Sequence, residues 1–202
     1  MKLAAMVVCH VGPPEKAEAD LRPWLEHGSP AMAEVGPMPY PVVNTLFDAA
    51  YPPGALNYWK STFLPDLTDG AIEELVQRFA QTPSPMNAMI LERFHGAVCR
   101  VGVSDTAVPH REPGFNLGIF SEWVDPAATD ENIVWTTELY AALEPYRGSQ
   151  LRYVNYLDDD DGGDAVRDAY GPNYDRLVEM KRRYDPDNVF RLNHNIDPGG
   201  GS

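Results

Sequence analysis

Basic residues are in short supply. Sixteen Lys and Arg stand against thirty Asp and Glu, giving a formal net charge of −14 and a pI near 4.6. Phosphate backbones and anionic lipid surfaces are bound through a surplus of Lys and Arg, so neither nucleic acid nor a membrane is an expected partner. Cysteine is scarcer still, with only Cys9 and Cys99, and neither lies in a C-x-x-C pair. Two reduced, mostly buried thiols in a cytoplasmic chain are the expectation; a disulfide between them stays open, because sequence carries no distance. No run approaches the roughly 20 apolar residues of a membrane span. The first ten residues, MKLAAMVVCH, begin like a secretory leader, but the apolar run halts at His10, Gly12 and Pro13.

Several catalytic signatures are also missing. There is no G-x-G-x-x-G after a strand, no G-x-x-x-x-G-K-[ST], no H-E-x-x-H and no G-x-S-x-G. The five histidines lie apart, with no pair at i, i+3 or i+4, so no metal site is expected. The run Asp158–Asp161 with Gly162, Gly163 and Asp164 lacks the register and distal Glu of a calcium loop and reads as a solvated turn.

What remains is an ordinary globular composition, 44% hydrophobic and 23% charged over 202 residues, long enough to bury a core without a disulfide or metal staple. Leu3 to Val11 reads as a buried strand, closed by Gly-Pro-Pro. Glu15 to His27 reads as a helix with Ala17, Leu21 and Leu25 on one face. Five prolines make 37–53 mostly irregular, with a short helix over Val42 to Ala49. Leu56 to Phe63, Met89 to Phe94, Ala97 to Val103, Phe115 to Trp123 and Leu151 to Leu157 read as strands. Thr68 or Asp69 caps a helix carrying Ile72, Leu75, Val76 and Phe79. Thr129 caps another, and Gly171-Pro172 opens the last. Strands and helices mix without strict alternation, so the fold class is α+β: a large antiparallel sheet with helices packed mainly on one face. No internal repeat or linker is evident. One domain is expected over 1–198, followed by a flexible Gly/Ser tail at 199–202.

The last fifty residues add specific words. Tyr153-Val-Asn-Tyr156, then Ala169-Tyr-Gly-Pro-Asn-Tyr-Asp-Arg-Leu177, then 181–188 (KRRYDPDN), then Phe190-Arg-Leu-Asn-His-Asn-Ile196, resemble the C-terminal end of berberine bridge enzyme-like FAD-linked oxidases. Tyr58-Trp-Lys-Ser61, Thr106-Ala-Val-Pro-His-Arg111, Asn116 to Trp123 and Trp135 agree in order. The resemblance implies a substrate domain whose C-terminal family segment covers about 151–198. It implies FAD as the cofactor, only partly contacted by this chain. In that family an N-terminal FAD-binding domain holds the adenine and pyrophosphate and carries the covalent attachment residues. Nothing here matches it, and Cys99 and His110 are not those attachment residues.

The resemblance also implies residue roles. Tyr156 is the expected catalytic base. Its phenol has an ordinary pKa of about 10, so proton transfer at neutral pH needs help from neighbouring groups. Tyr153, Asn155 and Asn193 are the expected cofactor contacts, with Tyr153 and Asn155 on the strand face opposite Tyr156. Asn116 and Phe120 are the expected substrate contacts. Asn116 falls where some members place a carboxylate base, and an amide cannot accept that proton. The implied activity is removal of hydride from an alcohol, sugar or related small molecule to flavin, with O2 as electron acceptor. The chain alone is expected to be inactive and to need a missing or separate FAD-binding domain as partner. Two alternatives stay open: a non-catalytic module that binds a small molecule or a partner, and one chain of a split oxidase.

Overall fold

A computed structural model describes residues 2–148, 152–158, 161 and 164–199, with only the backbone of Asp164. The chain divides into two compact units, one ending at Pro52 and the other starting at Pro53.

The first unit is built from α1 (Pro14–Leu25) and α2 (Tyr40–Val43). Proline suits the first turn of a helix, where its missing N–H had no partner to lose, and Pro13 and Pro39 supply extended N-caps. None of its described residues is buried. The expected strand at Leu3 to Val11 does not form: these residues carry no regular structure, and Leu3, Met6, Val7, Val8 and Val11 are exposed. A strand needs a ladder partner for its N–H and C=O groups, and no described neighbour supplies one. Cys9 is correspondingly exposed rather than buried; Cys99 is half-buried, and both are free thiols.

The second unit contains β1 (Leu56–Leu64), α3 (Asp69–Ala80), β2 (Ala88–Phe94), β3 (Gly114–Trp123), α4 (Thr129–Ala142), α5 (Asp164–Tyr170) and α6 (Tyr174–Tyr184). The three strands form one antiparallel sheet in the order β1-β3-β2, so the α+β expectation is met, with three strands among the described residues. β3 is central and buried along nearly its whole length. Side chains alternate across a strand, so each face has its own character. One face turns Leu117 and Ile119 toward α3 and α4, where they join Leu64, Leu75, Trp135, Leu139 and Leu143 in the core. Thr68 caps α3 by accepting from Ala71 N. Ser121 and Thr136 share a buried hydroxyl bond of 2.5 Å, and Trp135 Nε1 donates to Arg78 O at 3.0 Å. These bonds fix α4 against β3 and α3.

Two other expected strands are tighter structures. The stretch from Ala97 lies largely in a 3-10 helix, Gly96–Arg100, which starts from a left-handed glycine. Val154–Tyr156 is a 3-10 turn rather than part of a strand, and Leu151 lies outside the described residues. A strand would send residues i and i+3 to opposite faces, whereas a 3-10 turn has three residues per turn and eclipses them. Tyr153 and Tyr156 therefore meet, with ring centroids 5.1 Å apart, correcting the expectation of opposite faces.

The acidic run is also no mere solvated turn. Asp161 accepts from Lys60 Nζ at 2.8 Å and from Arg152 Nη1 at 2.6 Å, and Asp158 accepts from Trp59 N at 3.3 Å. β1 is an edge strand, so Asp158 covers one of its outward N–H groups. Asp159, Asp160, Gly162 and Gly163 lie outside the described residues.

Candidate functional site

The second face of the sheet carries most of the polar and aromatic candidate residues. Register places its side chains in rows: Phe63, Asn116 and Glu92; then Ser61, Gly118 and Ile90; then Trp59, Phe120 and Ala88. Directly opposed residues of an antiparallel pair share a face, so these three rows form one surface. The 3-10 turn Val154–Tyr156 and the loop residue His110 pack onto it.

Tyr156 reaches that surface at Glu92. Its hydroxyl donates to Glu92 Oε1 at 3.2 Å, and Asn116 Nδ2 donates to the other oxygen of the same carboxylate at 2.6 Å. Glu92 thus holds a phenol and an amide at once. The Asn116 bond is short for an N–H···O contact and the phenol bond is long for an O–H···O contact, so Asn116 holds the carboxyl group most firmly. Asn116 is fully buried, and its Oδ1 has no hydrogen-bond partner among the described residues. Ser61 Oγ and Glu122 Oε2, on the same face, are buried and without a partner in the same sense. Burial pushes the Glu122 carboxyl above the usual carboxylate range.

Aromatic rings enclose the site. Phe120 meets Trp59 edge-on at 4.9 Å and Tyr156 edge-on at 5.1 Å. His110 stacks on Phe63 at 4.2 Å and lies 6.3 Å from Tyr153. Its Nε2 bonds the carbonyl of Arg152 at 3.0 Å, tying the loop to the start of the tyrosine turn. Burial holds the His110 pKa below the ordinary histidine value; the Arg152 carbonyl opposes that shift and the Arg111 charge adds to it. The imidazole is neutral at physiological pH, and Nε2 then carries the proton donated to Arg152.

The sequence-derived candidates divide accordingly. Tyr156, Tyr153, Asn116 and Phe120 come together on this face. Asn155 stands beside them, exposed, with its Nδ2 donating to Tyr153 Oη at 3.0 Å. Asn193 lies instead in the exposed tail after α6, in a left-handed turn at φ 59. Glu92 and His110 were not singled out as site residues by sequence. Glu92 carried no motif signal, and only pairing with Asn116 across β2 and β3 reveals it. No cluster of three His, Cys, Asp or Glu among the described residues could hold a metal ion.

This arrangement, an antiparallel sheet with helices on one face and a tyrosine-bearing turn on the other, defines a class when set beside known proteins. Residues 152–197 match the family model described as berberine and berberine like. An FAD-linked oxidoreductase of Dictyostelium discoideum is 27% identical over 186 residues, which cover 88% of this chain and 39% of that protein. Berberine bridge enzyme-like C-1 of Nicotiana tabacum is 31% identical over 180 residues, covering 74% and 31%. Among solved structures, 6-hydroxy-D-nicotine oxidase of Arthrobacter nicotinovorans overlays with a TM-score of 0.74 at 24% identity, covering 94% of this chain and 43% of that one. Berberine bridge enzyme of Eschscholzia californica gives a TM-score of 0.66 at 22% identity, covering 73% and 34%. At those identities the structures establish a shared fold.

The chain is thus an oxidase-related domain similar to part of the berberine bridge enzyme-like FAD-linked oxidoreductases. It spans between about a third and two fifths of the length of these curated relatives. FAD is the cofactor of the relatives so described.

Proposed function

We propose that this chain forms the substrate side of an FAD-dependent oxidase, with Tyr156 and Glu92 removing the proton from a substrate hydroxyl. The single observation that carries the reading is the 3.2 Å bond from the Tyr156 hydroxyl to Glu92. An alcohol carbon releases hydride only as its hydroxyl loses a proton. Tyr156 Oη accepts that proton while passing its own to Glu92 Oε1, so the phenol need not be ionised beforehand. Proton transfer by a positioned group contributes roughly 10²–10⁴-fold to rate. Asn116 keeps the carboxylate turned toward the phenol. This assignment also answers the missing base at position 116, because the acid group stands one strand away.

When bound, FAD would supply the hydride acceptor. The residues present fit one part of it. Tyr153, Tyr156 and the exposed Asn155 form an aromatic and amide surface suited to the edge of a flat ring. No glycine-rich phosphate cradle occurs in the sequence, so the adenine and pyrophosphate would be gripped by another polypeptide segment. The tail offers a docking surface for such a partner: Val189, Phe190 and Leu192 are 70%, 81% and 88% exposed. Asn193, in the same tail, would approach the flavin only in that assembly.

The test is anaerobic mixing of the flavin-loaded assembly with a panel of primary alcohols, cyclic alcohols and sugars. Bleaching of the flavin by one class, followed by peroxide on admitting O2, supports the oxidase. A chain that pairs with no flavoprotein and bleaches no flavin supports a non-catalytic binding module.

A further inference from the structure

The Tyr156 hydroxyl meets Glu92 at 3.2 Å, which is long for an O–H···O bond, so that bond alone does not hold the phenol in place. The hold comes from a carboxylate beyond the turn. Asp161 Oδ1 accepts from Arg152 Nη1 at 2.6 Å and from Lys60 Nζ at 2.8 Å, and its Oδ2 accepts from Asp158 N at 2.7 Å. Arg152 precedes the tyrosine turn and Asp158 follows it, so one carboxylate grips both ends. Each end has a second anchor. The Arg152 carbonyl is held by His110 Nε2 at 3.0 Å, and Asp158 Oδ2 takes the Trp59 N–H at 3.3 Å. Between them the turn is closed by Tyr156 N donating to Tyr153 O at 2.9 Å. Side chains alternate along β1: Trp59 shares a face with Phe120, whereas Lys60 belongs to the other face, opposite Ile119. The segment thus straddles the edge of β1, bonding the Trp59 N–H at the edge and the Lys60 ammonium from the far face. The Asp161 side chain is 7% exposed, and its three donors satisfy it as a buried carboxylate.

We infer that Asp161 is a positioning residue for the proton path: it sets the Tyr156 hydroxyl against Glu92 by pinning the tyrosine turn to the edge of β1. This rests on the oxidase reading and adds the device that keeps its tyrosine in register. The rings around Tyr156 do not supply that precision. Phe120 and Tyr153 each meet it edge-on at 5.1 Å. Aromatic pairs stay favourable over roughly 4.5–7 Å between centroids, so the phenol can shift by about 1 Å and keep both contacts. A displacement of that size at a reacting group costs on the order of 10²-fold in rate. The clasp depends on charge as well as shape, because two cations share one carboxylate; an amide at position 161 keeps the shape and loses the attraction. None of Lys60, Arg152 and Asp161 belongs to the apolar core under α3 and α4, so the clasp can be exchanged for apolar side chains without emptying that core.

The experiment separates position from stability. In the purified chain, with ring-labelled Phe and Tyr, it reads the NOE between the Tyr156 and Phe120 rings, which the parent should show. Lys60→Met with Asp161→Leu trades the buried charges for apolar side chains. Its thermal midpoint should return close to the parent's while the NOE falls several-fold. Lys60→Arg keeps the charge and should keep the NOE. Asp161→Asn, read well below its own midpoint, should show the same loss and decides the matter if the double variant does not fold. In the flavin-loaded assembly the double variant should reduce its flavin roughly 10²-fold more slowly at an unchanged KM for the alcohol. A folded variant that lacks the Asp161 charge and keeps the NOE overturns the inference, because the carboxylate is then only structural. A parental rate of flavin reduction in the double variant overturns it equally. A lost NOE, combined with a parent whose flavin no alcohol bleaches, would sink the oxidase reading and leave Asp161 as the residue that places Tyr156.

Discussion

In the proposed mechanism a single carboxylate receives the proton that the tyrosine passes on. A tyrosine surrounded by apolar groups would have no acceptor for its proton, whereas Tyr156 has Glu92. Glu92 went unnoticed in the sequence because a lone Glu in an alternating strand is an ordinary surface residue. Tyr156, Tyr153 and Asn116 were legible only through the resemblance, since aromatics and amides in such segments are otherwise core or turn residues. His110 acts one step back, holding the Arg152 carbonyl and stacking on Phe63. Its folded pKa is lowered, so the unfolded chain binds its proton more readily. Its contribution to stability is therefore fully present above the ordinary histidine value of about 6.5 and is lost as pH falls from there toward the lowered folded value. Thermal midpoints measured between pH 8 and pH 5 should fall on acidification. His110→Phe should flatten the histidine part of that fall while keeping the stack on Phe63.

Elements with a partner in their own sequence neighbourhood were readable, and those without one were not. The helices α3, α4 and α6 announced themselves through periodicity, and α3 through its Thr68 cap as well, whereas Thr129 lies inside α4 and does not cap it; the three strands showed as apolar and aromatic runs with turn signals. Leu3 to Val11 has the composition of a strand buried on both faces, yet composition cannot supply a ladder, and it stays unpaired. Y-x-N-Y alternates like a strand, while the conformation of the tyrosine turn is set by bonds made outside the segment. Those bonds are the Asp161 contacts to Lys60 and Arg152, with Lys60 and Asp161 side chains only 9% and 7% exposed. Removing one member of a buried pair strands the other, at a cost of about 3–5 kcal/mol. Asp161→Asn should therefore lower the thermal midpoint clearly, and Lys60→Met with Asp161→Leu should recover most of the loss. On the opposite face, Leu117→Ala empties a fully buried position against α4 and should cost about 2–5 kcal/mol in urea unfolding.

At the scale of the whole molecule, the sheet of the second unit has one face packed against α3 and α4 and one face lined by polar and aromatic groups. Its net charge of −14 favours solubility, while its tail and first unit leave large apolar side chains in water. No described helix is long and apolar enough to cross a membrane. Exposed residues contribute little to folding, so Phe190→Ser with Leu192→Ser should change the chain's own stability by no more than about 0.5 kcal/mol per site. The same pair should weaken association with a flavin-binding partner, read by co-sedimentation; unchanged association would place the contact elsewhere. The most direct measurement is stopped-flow flavin reduction in the flavin-loaded assembly, comparing the parent with Tyr156→Phe and Glu92→Gln under a saturating alcohol. Both variants should keep their flavin and slow reduction by roughly 10²-fold or more, because each removes one half of the proton path. Parental reduction rates in either variant would contradict the Tyr156–Glu92 mechanism.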